Sequence, residues 1–147
     1  MGPPSPPAAV WVARPQEPLL RTFARLMLAR HGSRLYLFGS RARDTPEAGS
    51  DYDIVAVSER FVGIPTERRA PDRYFLWRAA GGWGIDLDLH CLTREAFERS
   101  VGEGQSLLGC ARRDGELLEI PPAPDGDWVA ASLRRAEEGA LPAGVSR

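Results

Sequence analysis

Asp51 and Asp53 stand one residue apart in the run DYDIVAV, residues 51–57. A strand sends successive side chains to opposite faces. The spacing therefore predicts both carboxylates on one face, about 6.5–7 Å apart, with Tyr52 and Ile54 on the other. Val55, Ala56 and Val57 are apolar and mark the strand as buried. Two carboxylates at the start of a buried strand repel each other and lose hydration, and a cation relieves both penalties. Hard divalent ions such as Mg2+ take carboxylate oxygens and keep positions open for substrate phosphates. The run IDLDLHCL, residues 85–92, repeats the pattern, with Asp86, Asp88 and His90 on one face. Paired beside the first strand, it brings a third carboxylate, Asp86 or Asp88, to the same site. Upstream, Gly39-Ser40 closes an apolar run, with Arg41 and Arg43 close behind. Glycine permits close backbone approach, free N–H groups at a helical turn attract phosphate, and guanidinium matches phosphate oxygens in pairs. Phosphate donors followed ten residues later by paired acids are the parts needed for metal-assisted phosphoryl or nucleotidyl transfer.

Elements that could position these residues are readable from periodicity. Leu19, Leu20, Phe23, Leu26, Met27 and Leu28 recur at helical spacing from Pro18 to His31, and Gly32 suits the position just past the helix. His31 is expected on the surface, favoured by the helix dipole. Residues 34–38 (RLYLF) read as a strand, and Ser40 as the start of a short helical turn. Residues 44–50 read as a loop, 51–57 as a strand, and part of 66–80 as a helix starting near Pro71. After a glycine-rich break comes the third strand, then helices near 94–101 and 105–113. Thr93 is an expected cap. Trp77 and Tyr52 are expected in the core. This order implies an α/β (α+β) domain with a small mixed β-sheet flanked by helices. Residues 1–17 read as a Pro-rich arm, 18–120 as the compact domain, and 121–147 as a linker (PPAPDG) with a helical tail.

Composition removes several alternatives. All 19 basic residues are Arg, so no lysine nucleophile, Schiff base or P-loop lysine exists. The formal net charge of -1 argues against bulk nucleic-acid binding. No apolar run is long enough to cross a bilayer, and MGPPSPPAAV lacks the pattern of a signal peptide, so the expected location is cytoplasmic. Cys91 and Cys110 make no disulfide framework and are expected as buried small hydrophobes.

Phe38-Gly-Ser-Arg-Ala-Arg43, followed by Ser50-Asp-Tyr-Asp-Ile54, resembles the minimal nucleotidyltransferases of the DNA polymerase beta superfamily. The resemblance covers about residues 20–120 and includes Leu92-Thr-Arg-Glu-Ala-Phe-Glu-Arg99 after the third strand. It implies a triphosphate loop at Gly39 and Ser40, a basic position at Arg43, and paired metal ligands at Asp51 and Asp53. It also implies a third ligand, Asp88, that activates the attacking hydroxyl; Asp88 is favoured over Asp86 because it lies five residues before Thr93. Asp44 departs from the glycine common in relatives. The implied reaction transfers NMP, expected to be AMP from ATP, to an acceptor hydroxyl with two Mg2+ ions and release of pyrophosphate. Members of this subgroup act as antitoxins that adenylylate a tyrosine of a HEPN toxin, so a HEPN-domain partner is expected, and a second copy of the chain is another candidate partner. The alternatives are a small-molecule transferase of the aminoglycoside type and a catalytically silent binding module. The first usually has a larger C-terminal helical domain than residues 127–147 supply.

Overall fold

The computed structural model describes residues 17–42 and 51–140. The arm expected over 1–17 lies outside them except for Glu17, which already belongs to the first helix. Arg43, Asp44 and Ser50 also lie outside the described residues. The chain order is α1 (Glu17–His31), β1 (Arg34–Phe38), a single 3-10 turn at Ser40–Ala42, and β2 (Tyr52–Val57). Short turns at Glu59–Phe61 and Thr66–Arg68 precede α2 (Arg73–Ala79). Then come β3 (Leu87–Leu92), α3 (Arg94–Gly102), α4 (Leu107–Arg113), β4 (Leu118–Glu119) and α5 (Asp127–Ala140).

The four strands form one mixed sheet in the order β3-β2-β1-β4. β1 pairs antiparallel with β2 and with β4, whereas β2 and β3 run parallel. Alternation along each strand divides the sheet into two faces. Leu35, Leu37, Tyr52, Ile54, Ala56, Leu87, Leu89 and Cys91 point to the main core, which α1, α2 and α5 close. Phe38 and Val55 point the other way, into a smaller cluster with Leu108 and Ala111 of α4, rimmed by Phe97 and Val101 of α3. Trp77 and Tyr52 are buried as expected, and the Trp77 indole N–H donates to Ile85 O at 2.8 Å. The Thr93 side chain caps α3 by accepting from the Ala96 N–H. Gly32 follows α1 at φ +64° and donates its N–H to Leu28 O at 2.9 Å.

Three expectations are corrected. The Pro-rich stretch at 121–126 does not end the packed unit. Ala123 N–H donates to Arg21 O, the Arg25 side chain donates to Ala123 O at 2.6 Å, and Val129 and Ala136 of α5 are buried in the main core. Cys91 is buried but Cys110 is only partly so. His31 is not a plain surface residue. It is half-buried, with Nε2 2.7 Å from Asp72 Oδ1, and Asp72 Oδ2 also meets Arg30 Nε at 3.2 Å. Arg30 extends the chain of charges to Glu137 of α5 at 2.7 Å. This network fastens α1 to the start of α2 and to α5.

β3 is an edge strand with unpaired carbonyls. Arg73 donates to Leu89 O at 2.7 Å and Arg69 to Cys91 O at 3.0 Å, so two guanidinium groups cover that edge.

Burial opposes ionisation of Asp72, but the His31 hydrogen bond and charge, with Arg30 behind them, outweigh it and hold the carboxyl below the usual range. The stabilisation is complete above the ordinary carboxylate pKa and fades as pH falls through the lowered one. Replacing Asp72 by Asn is expected to cost about 1.5–3 kcal/mol at pH 7. Urea unfolding of both proteins between pH 7 and pH 3 checks this: the gap should narrow as the solution becomes acid.

Candidate active site

β1 and β2 are in register such that Phe38 faces Asp53, so the chain leaving β1 must turn directly over the Asp53 side chain. Gly39 makes that turn at φ +77°. A Cβ at this position would stand 2.6 Å from Asp53 Oδ2, so only glycine fits on both counts. The Gly39 carbonyl accepts from Ala42 N–H at 3.1 Å and closes the 3-10 turn that Ser40 begins.

The parallel register of β2 and β3 sets Asp53 opposite Asp88 and Val55 opposite His90. Asp53, Asp88 and His90 therefore share the sheet face opposite the main core, and each offers a donor atom within 4.8 Å of the others. His90 Nε2 lies 3.4 Å from Asp88 Oδ2, with the two side chains 47% and 56% exposed, so substrate can reach them. The Phe38 ring sits 5.7 Å from the imidazole, centroid to centroid. Asp53 is half-buried, and its carboxyl is pushed above the ordinary value by burial first, then by the Asp88 charge; His90 opposes this and Asp51 adds to it. Confined like charges of this kind favour a bound cation. Two carboxylate oxygens and an imidazole nitrogen form a donor set that fits a divalent ion.

Asp51 and Asp86 stand just before their strands, exposed, and Tyr52 N–H donates to Asp86 O at 3.0 Å. Neither belongs to the three-residue cluster. Of the two candidates on the third strand, Asp88 is the one beside Asp53. Asp51 and Asp86 instead line a cavity of about 420 Å3 with Tyr74, Arg78 and the exposed Trp83. A cavity of similar volume, lined by Arg34, Ser58, Arg60 and Arg94, opens at the far end of β2 and contains none of the clustered acids. Arg41 packs its guanidinium 4.8 Å over the Tyr52 ring, whose side of β2 is opposite that of Asp53. His90, which strand alternation from Asp88 places on the acidic face, completes the cluster although sequence reasoning assigns it no ligand role.

Residues 20–135 match the family model of the nucleotidyltransferase domain. The chain belongs to that family and is a transferase of the nucleotidyltransferase type. No curated protein and no solved structure matches it. The four-stranded mixed sheet flanked by helices is consistent with the family fold. No helix among the described residues is long and apolar enough to cross a membrane.

Gly39→Ala is expected to force the backbone out of its left-handed conformation at a cost of about 1–2 kcal/mol and to displace the Asp53 carboxylate. Unfolding measurements together with Mn2+ titration check this. The substitution should weaken metal binding more than a substitution such as Gly63→Ala, where positive φ is shared but no side chain lies within 4 Å.

Proposed function

We propose that the protein transfers a nucleoside monophosphate, AMP from ATP, to an acceptor hydroxyl and releases pyrophosphate. The observation that supports this most directly is the placement of Asp53 against Asp88 under the Gly39-Ser40 turn. In this reading Asp53 and Asp88 are metal ligands, and Asp51, one residue before β2, joins them when nucleotide is bound. The backbone at Gly39 and Ser40, the Ser40 hydroxyl and Arg43 take the triphosphate, while Arg41 rests on the Tyr52 ring. Two Mg2+ ions would supply charge neutralisation at the reacting phosphate and its leaving oxygens. Asp88, more exposed than Asp53, accepts the proton of the attacking hydroxyl. The acceptor oxygen bonds to the α-phosphorus as the bond from that phosphorus to the bridging oxygen breaks. The cavity beside Asp51 and Asp86 gives room for the parts of the substrates beyond the phosphates.

The acceptor we favour is a tyrosine hydroxyl on a HEPN-domain partner, with the protein acting in the cytoplasm as the antitoxin of the pair. This rests on the resemblance of Phe38–Arg43 and Ser50–Ile54 to the minimal nucleotidyltransferases.

The expected result with α-labelled ATP, Mg2+ and a HEPN-domain partner is label on the partner and pyrophosphate in solution. Asp53→Asn and Asp88→Asn should each lower the rate on the order of 10²-fold or more. No label above background, or label unchanged in both variants, rejects the reading. The same carboxylates repel one another without metal, so Asp53→Asn should also raise the melting temperature of the metal-free protein. Divalent ions should raise that of the wild type alone.

A further inference from the structure

We propose that His90 is a direct metal ligand and that the cluster Asp53, Asp88 and His90 favours Mn2+ over Mg2+. The inference rests on the metal-dependent reading above and deepens it. His90 follows Asp88 by two residues on β3, so strand alternation fixes both side chains on one face whatever their rotamers. The pairing of Val55 with His90 holds its backbone in the same ladder that holds Asp53 and Asp88. Donor atoms about 2.0–2.2 Å from one ion lie at most about 4.4 Å apart. The three donors already lie within 4.8 Å of one another, so a small side-chain rotation closes the set. The Phe38 ring beside the imidazole limits where it can swing. Asp51 stands outside this set until nucleotide binds, so the nitrogen is the third donor beside the two carboxylates. Mg2+ prefers all-oxygen surroundings, whereas first-row transition ions accept imidazole readily. The partial exposure of Asp88 and His90 leaves the remaining positions open to phosphate oxygens and water.

The test uses the full chain with Mn2+ and inorganic tripolyphosphate, which supplies phosphate oxygens but no nitrogen. Pulsed electron paramagnetic resonance reads nitrogen-14 modulation from an imidazole bound to Mn2+. Isothermal titration reads the Mn2+ to Mg2+ affinity ratio. The chain has two histidines, and His31 is engaged with Asp72, so assignment is direct. Strong nitrogen modulation in the wild type is expected, with Mn2+ preferred on the order of tenfold. Both should disappear in His90→Ala and in His90→Asn, while circular dichroism shows the fold kept. Mn2+ that binds through Asp53 and Asp88 without nitrogen modulation overturns the role of His90 and leaves the metal site standing. Failure of Mn2+ to bind at all overturns this inference and the metal-dependent reading together.

Discussion

Parallel pairing of β2 with β3 sets Asp53 beside Asp88, and a slip of one residue in that register would turn Asp88 and His90 into the main core. The slip is prevented by what lies behind the acids. Tyr52, Ile54 and Ala56 on β2, with Leu87, Leu89 and Cys91 on β3, alternate with the residues of the acidic face and are buried beneath α1, α2 and α5. The burial that stabilises the sheet is thus also what aims the carboxylates. The antiparallel pairing of β1 adds the remaining constraint. It carries the chain across Asp53, where the absence of a Cβ at Gly39 lets backbone and carboxylate share one small space.

The two faces of the sheet divide the labour. The face toward α1, α2 and α5 is buried and belongs to one continuous apolar cluster. The other is covered by α3 and α4 only over Phe38, Val55 and their neighbours, and it remains open at Asp88 and His90. Arginine is used largely as a fastener. Arg21 and Arg25 hold the 121–123 segment against α1, and Arg69 and Arg73 hold α2 to the edge of β3, all through backbone carbonyls. In a chain without lysine, the several donors of each guanidinium let one side chain tie two segments together.

Much of this was legible from residue order. The period of α1, the alternation in the DYDIVAV and IDLDLHCL runs, and the caps at Gly32 and Thr93 are local signals, and they correspond to the elements observed. Strand alternation alone left Asp86 and Asp88 equivalent; the spacing to Thr93 in the family resemblance favoured Asp88, and the register set by packing across the sheet is what puts it beside Asp53. The role of Asp72 was invisible because its partners His31 and Arg30 lie some forty residues away. The Pro-rich stretch at 121–126 reads as a boundary because proline breaks regular structure. The chain there is irregular yet packed, and only tertiary contacts reveal the difference. The residues at 66–80 divide into a 3-10 turn and a short helix, since Pro71 interrupts any continuous helical hydrogen-bonding.

The docking of α5 onto α1 and α2 has a consequence for how the protein comes into being. On the ribosome α1 is made before α5, and the surface it offers to α5 stays bare until the far end of the domain emerges. Contacts such as Arg30 with Glu137, separated by 107 positions, cannot begin before then. Until that moment the apolar faces of α1 and α2 that pack with α5 lack part of their cover. The nascent chain therefore passes through a stage when its sticky interior is open to chaperones or to other chains.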